Sequence, residues 1–141
     1  MRRPVVLITG ASGEIGHGLI ERLAGPSAGS GQAGGARAVV TLDIAPLEPG
    51  LARLVHREIS GSILDRTALE RILSEFEVDM IFHLAALLST RAEFSPVSAH
   101  EVNVEGTLKL LEFAQREGES HGRPVTFLYP SSIAAYGLPD V

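Results

Sequence analysis

The segment Thr9-Gly10-Ala11-Ser12-Gly13-Glu14-Ile15-Gly16 constrains this chain more than any other. Before it runs an uninterrupted apolar stretch, Val5-Val6-Leu7-Ile8. After it, Ile15, Leu19, Ile20 and Leu23 recur at helical spacing, predicting a helix over residues 15–24. A short apolar run that ends in a glycine turn reads as a strand buried on both faces, the kind a parallel sheet uses. Strand, glycine-rich turn and helix in that order aim a helix N-terminus and its unpaired N–H groups at one point in space. Such a point attracts phosphate. Gly10 permits the tight turn, Gly13 lets backbone N–H groups approach a pyrophosphate, and Gly16 lets helix and strand pack closely. Ser12, Glu14 and Ile15 share the loop and are candidate contacts with them. Glu14 is expected to point to solvent, because the backbone makes the phosphate contacts.

The rest of the chain continues the alternation. Residues 25–35 carry almost no side chains worth burying and read as a flexible loop. Residues 38–43 form a second strand and residues 54–58 a weak third. Asp65 can cap a helix whose apolar set is Ala68, Leu69, Ile72, Leu73 and Phe76. Residues 80–85 form a fourth strand. Pro96 suits the first turn of a long helix carrying Val104, Leu108, Leu111 and Phe113. Residues 118–124 form a loop and residues 125–129 a fifth strand. The expected fold class is α/β: one domain over residues 1–141 with a doubly wound parallel sheet, truncated after about the fifth strand.

Asp43 closes the second strand, where a dinucleotide-binding fold places the acid that accepts from the adenosine ribose. It follows Gly16 at more than the usual interval of about 20 residues, an excess the 25–35 loop accounts for. A carboxylate holding both ribose hydroxyls would repel a 2′-phosphate, so the expected cofactor is NAD rather than NADP. Ile44, directly after it, is a further candidate contact.

Composition removes other classes. The chain has no Cys, which excludes disulfides and thiol chemistry. The five His show no metal-like spacing, and no metal is expected. Formal net charge is -5 and no stretch concentrates Lys or Arg, so neither nucleic acid nor an anionic membrane is an expected partner. The apolar run after Met1-Arg2-Arg3-Pro4 is too short for a leader or a membrane span, and a soluble cytoplasmic protein is expected.

Three more segments add to the glycine loop: His83-Leu84-Ala85-Ala86-Leu87-Leu88-Ser89, Val102-Asn103-Val104-Glu105-Gly106-Thr107, and Pro130-Ser131-Ser132-Ile133-Ala134-Ala135-Tyr136-Gly137. In this order they resemble the extended short-chain dehydrogenase/reductases, the NAD-dependent epimerase/dehydratase family with its Rossmann fold, and within it most of all the short-chain type of L-threonine 3-dehydrogenase. The resemblance implies that Leu84, Ala85 and Ala86 line the dinucleotide and that Asn103 organises the strands near the site. It makes Ser132 the catalytic serine at the substrate oxygen, and Ser89 and Thr90 the border of the substrate pocket. Ser62, beside Ile63, stands where the family often has an Asp on the adenine amine. His83 reads as a hydrogen-bonded strand-end residue, and Tyr136 as a structural aromatic of a Tyr-Gly turn.

In the family the base is a Tyr with a Lys four residues later, the Lys lowering the Tyr pKa. Here the two tyrosines, Tyr129 and Tyr136, are followed at that distance by Ile133 and Asp140. The resemblance therefore implies an N-terminal portion of a parent that oxidises a secondary alcohol, threonine-like or a sugar acid, with the portion itself inactive and the parent a homodimer. A nucleotide-sugar epimerase or dehydratase with bound NAD is one alternative. A non-catalytic dinucleotide-binding module is another.

Overall fold

The computed structural model describes residues 2–25 and 36–137. Its centre is strand β1, Arg3–Thr9, whose last five residues are fully enclosed. β1 pairs in parallel with β2, Val39–Asp43, on one side and with β4, Phe76–His83, on the other. β3, Arg57–Ser60, extends the sheet beyond β2, and β5, Thr126–Leu128, extends it beyond β4. The order is β3-β2-β1-β4-β5, all parallel.

The apolar run of β1 is explained by the two faces it serves. Val5 and Leu7 join Ala68, Leu69, Ile72, Leu110 and Phe113 on one side. Val6 and Ile8 join Ile20, Leu47 and Leu51 on the other. The first set comes from α3, Arg66–Glu75, and α6, Gly106–His121; the second from α1, Glu14–Ala24, the short α2, Pro49–Ala52, and Leu47 in the loop before it. Helices thus cover both faces, as the doubly wound reading expects. The chain reverses direction across the sheet between β1 and β4. In open α/β sheets ligands bind at such a switch point, outside the carboxyl ends of the strands.

Several elements differ from expectation. β3 starts at Arg57, because Leu54 closes a turn on Leu51 and packs with Val55 against the α1–α2 side. Phe76 belongs to β4, pairing with Arg3, rather than to α3, and β4 ends at His83. The long helix is interrupted. After α4, Ser89–Phe94, and α5, Pro96–His100, a π-helical turn spans Glu101–Glu105, its Gly106 N–H reaching back to the Glu101 carbonyl. The extra residue rotates the helix, so Val104, Leu108 and Leu111 are exposed while Leu110, Phe113, Ala114 and Glu117 face inward. The helix continues past Gly118 to His121, and Gly122, at φ 72, ends it. Of the expected loop over residues 25–35 only Gly25 lies among the described residues.

A bulge between Val5 and Val6 leaves Asp79 out of the β1–β4 register, and its carboxylate meets Arg37 at 2.5 Å. The Val78 N–H beside the bulge donates to Glu117 Oε1 at 3.0 Å. Glu117 is fully buried; burial pushes its carboxyl above the usual range, offset by that N–H and by Arg2 at 3.6 Å.

Asp65 caps α3 as expected, Oδ1 accepting from Thr67 N at 2.9 Å and Ala68 N at 3.3 Å. Asp65→Ala should lower stability by about 1 kcal/mol in denaturant titration, and an unchanged midpoint would deny the cap its role.

Candidate functional site

The glycine loop joins the end of β1 to α1. Gly10 sits at φ 67, and a Cβ there would lie 2.5 Å from the Ala85 backbone nitrogen. Gly16 is as tightly enclosed, a Cβ meeting the Ala11 carbonyl oxygen at 2.3 Å, so the close approach is to the loop's own backbone. Gly13 differs: it stands at the N-terminus of α1, and a Cβ would meet only the Gly10 oxygen at 3.7 Å. No side chain caps this helix, so its first N–H groups face outward without an intrahelical partner.

Asp43 is fastened to that loop. Its Oδ2 accepts from Ser12 N at 2.9 Å and its Oδ1 from Ala45 N at 3.0 Å, while Ser12 Oγ donates to the Ala45 carbonyl at 2.8 Å. The carboxylate is therefore set at the mouth of the turn before any ligand arrives.

Around these groups opens a cleft of about 660 Å³. Gly10, Ser12, Gly13, Glu14, Ile15, Gly16, Asp43, Ile44, Ser62, Ile63, Leu84, Ala85 and Ala86 all line it, as do Leu42, Ala45, Gly61, Leu87, Leu88 and Val102, which sequence reasoning had not singled out. Leu87 and Leu88 continue the wall beyond Ala86, a continuation that the apolar run after His83 signals. Ile15 and Ile44 are 63% and 70% exposed on its rim. Ile15 thus leaves the buried face of α1, where helical spacing had put it. Glu14 is exposed, as expected. Ser62 Oγ accepts from Leu64 N at 3.1 Å, tying it to its own turn.

The remaining candidates lie elsewhere. Asn103 stands behind the wall, its Oδ1 accepting from Leu87 N at 2.8 Å and its Nδ2 donating to the Leu87 carbonyl at 3.0 Å. Ser89 and Thr90 open α4 on exposed positions, and Ser132 is exposed between β5 and a 3-10 turn at Ile133–Tyr136; none of the three lines the cleft. Tyr136, read as a structural aromatic of a Tyr-Gly turn, is 93% exposed, and the turn has its positive φ at Gly137. His83 is a buried strand-end residue held at both ring nitrogens, as expected. Burial lowers its pKa from 6.5 to about 4.

The sequence matches the NAD-dependent epimerase/dehydratase family over residues 6–141. The chain belongs to that family. The family's cofactor is NAD. An uncharacterized epimerase/dehydratase of Staphylococcus epidermidis is 30% identical over 139 residues, which cover 94% of this chain and 38% of that protein. Among solved structures, a monomeric L-threonine 3-dehydrogenase from a metagenome superposes with a TM-score of 0.70 at 29% identity, over 97% of this chain and 39% of that one. A UDP-glucose 4-epimerase of Thermotoga maritima does so with a TM-score of 0.66 at 28% identity, over 80% and 34%. The chain thus spans a little over a third of the length of these relatives. No helix among the described residues is long and apolar enough to cross a membrane.

Proposed function

We propose that residues 1–141 form the NAD-binding domain of an oxidoreductase that oxidises a secondary alcohol, threonine-like or a sugar acid. The observation that carries this reading is the cleft at the β1–β4 switch point, with Asp43 bound at 2.9 Å to the loop that opens α1. The pyrophosphate would lie over Gly13, where the chain leaves space and the helix N-terminus supplies N–H groups. Asp43 would take the adenosine ribose hydroxyls, with Ile15, Ile44, Ser62 and Ile63 around the adenosine. Leu84, Ala85 and Ala86 would flank the dinucleotide further along. NAD, when bound, supplies the hydride acceptor.

Ser132 would hold the substrate oxygen, and Ser89 and Thr90 would border the substrate. The base would come from sequence outside these 141 residues, because neither Tyr129 nor Tyr136 has its Lys. The exposed stripe of Val97, Val104, Leu108 and Leu111 supports a homodimeric parent. A nucleotide-sugar epimerase is the second reading, favoured by the likeness to the Thermotoga maritima enzyme.

In a longer protein containing this chain, Ser132→Ala should lower turnover by about 10²–10⁴ while NAD affinity stays within twofold. The assay is NADH formation with threonine and related alcohols, beside epimerisation of a UDP-sugar. The 141-residue chain should form no NADH. Turnover by that chain would place the base within it and overturn the assignment.

A further inference from the structure

A hydrogen-bond chain, fully buried at Thr9 and His83 and partly buried elsewhere, runs behind the cleft, and its proton directions follow from one fixed end. The Asn103 main-chain carbonyl can only accept, and Thr107 Oγ1 lies 2.7 Å from it. The Thr107 hydroxyl has one proton and uses it there. Toward His83 Nε2, 2.9 Å away, Thr107 must therefore accept. Nε2 carries the proton, the neutral ring leaves Nδ1 bare, and Nδ1 accepts from the Thr9 hydroxyl at 2.7 Å. The Thr9 oxygen in turn faces the Ala85 N–H at 3.4 Å.

Both ends of this chain hold the same piece of backbone. At one end Thr9 meets Ala85. At the other the π-helical turn over Glu101–Glu105 presents Asn103, whose side chain takes both polar atoms of Leu87. Ala85 and Leu87 are two residues apart in the wall that follows β4. β4 ends at His83, and the Leu84 N–H still reaches the Thr9 carbonyl at 3.0 Å; past Leu84 the wall meets the side chains of Thr9 and Asn103. Tyr129 stacks on the imidazole at 5.4 Å and closes it in.

We propose that His83 is a positioning residue for the dinucleotide site, locked as the Nε2–H tautomer so that Thr9 and Thr107 fix the wall at Ala85 and Leu87. The proposal rests on the NAD-binding reading for the purpose of the wall, but the lock itself exists without cofactor. Two consequences follow. An imidazolium would donate at both nitrogens and leave the Thr9 hydroxyl proton without the Nδ1 acceptor it uses here. The π-helical turn also has a use: it brings Asn103 and Thr107 to bear on the wall and on His83 at once.

Ring nitrogen shifts of the 15N-labelled 141-residue chain, measured near pH 7 without cofactor, read the tautomer directly. The Nε2–H form is expected, and the Nδ1–H form overturns the proposal. Thr107→Val keeps the shape and removes the hydroxyl; it should shift the Ala85 and Leu87 amide signals and weaken NAD binding about tenfold. Thr107→Ser should restore both. A Thr107→Val chain with unmoved amides and unchanged NAD affinity overturns the proposal, as does one that Thr107→Ser fails to rescue. If the unsubstituted chain binds no NAD, the site reading fails on that result alone, since tautomer and amide shifts are read without cofactor.

Discussion

Gly10→Ala should abolish measurable dinucleotide binding, a loss of more than about 100-fold, and should lower stability by several kcal/mol. Two costs add. A left-handed backbone conformation costs an L residue about 1–2 kcal/mol. The new methyl would also lie 2.5 Å from the Ala85 nitrogen, a main-chain atom that cannot swing aside. The wall would have to move away from the loop, opening the cleft where both its sides are set. Isothermal titration with NAD and denaturant unfolding measure the two effects. A variant that binds NAD within threefold of the parent would mean that the Gly10–Ala85 approach does not shape the site.

The second large effect concerns acid. In the fold His83 stays neutral down to about pH 4, whereas in the unfolded chain it takes up its proton near 6.5. The unfolded chain binds more protons between those values, so this group's contribution is complete above about pH 6.5 and falls as the pH drops toward 4. The loss amounts to about 3 kcal/mol. Glu117 acts in the opposite sense, since its raised pKa lets the fold take up a proton first. The contribution of His83 is therefore isolated by difference: the stability advantage of the parent over His83→Gln should shrink by about 3 kcal/mol between pH 7 and pH 4. A constant advantage across that range would mean that the imidazole is not held neutral.

Much of this architecture is legible in the residues. The glycine loop has a strand before it and a helix after it, and that context fixes the site of β1 and α1 and the position of Asp43. Cleft residues follow because strand ends in a parallel sheet converge on one edge. What the sequence conceals comes from tertiary contacts. The π-helical turn has no period of its own, so Val104, Leu108 and Leu111 read as core although the added residue turns them outward. Phe76 satisfies the helical spacing of α3, yet pairing with Arg3 draws it into β4. Glu117 is a charged residue on a helix and would be placed in water; only the bulge at Val5 and Val6, with its Val78 N–H, gives it a buried partner. Asn103 is visible as a polar residue between valines, but its attachment to Leu87 depends on the fold bringing the helix behind the wall.

The central claim is that this chain carries an adenosine site built around Asp43 and suited to NAD. Titration calorimetry of the 141-residue chain with NAD, NADP and ADP tests it most directly. Like charges about 4 Å apart repel by a few kcal/mol at an effective dielectric near 20, so NAD should bind on the order of 100-fold more tightly than NADP, and Asp43→Asn should remove most of that difference. ADP should bind nearly as well as NAD, because the groups named here face the adenosine diphosphate half. NADP binding as tight as NAD, or no binding of NAD and ADP at millimolar concentration, would contradict the account.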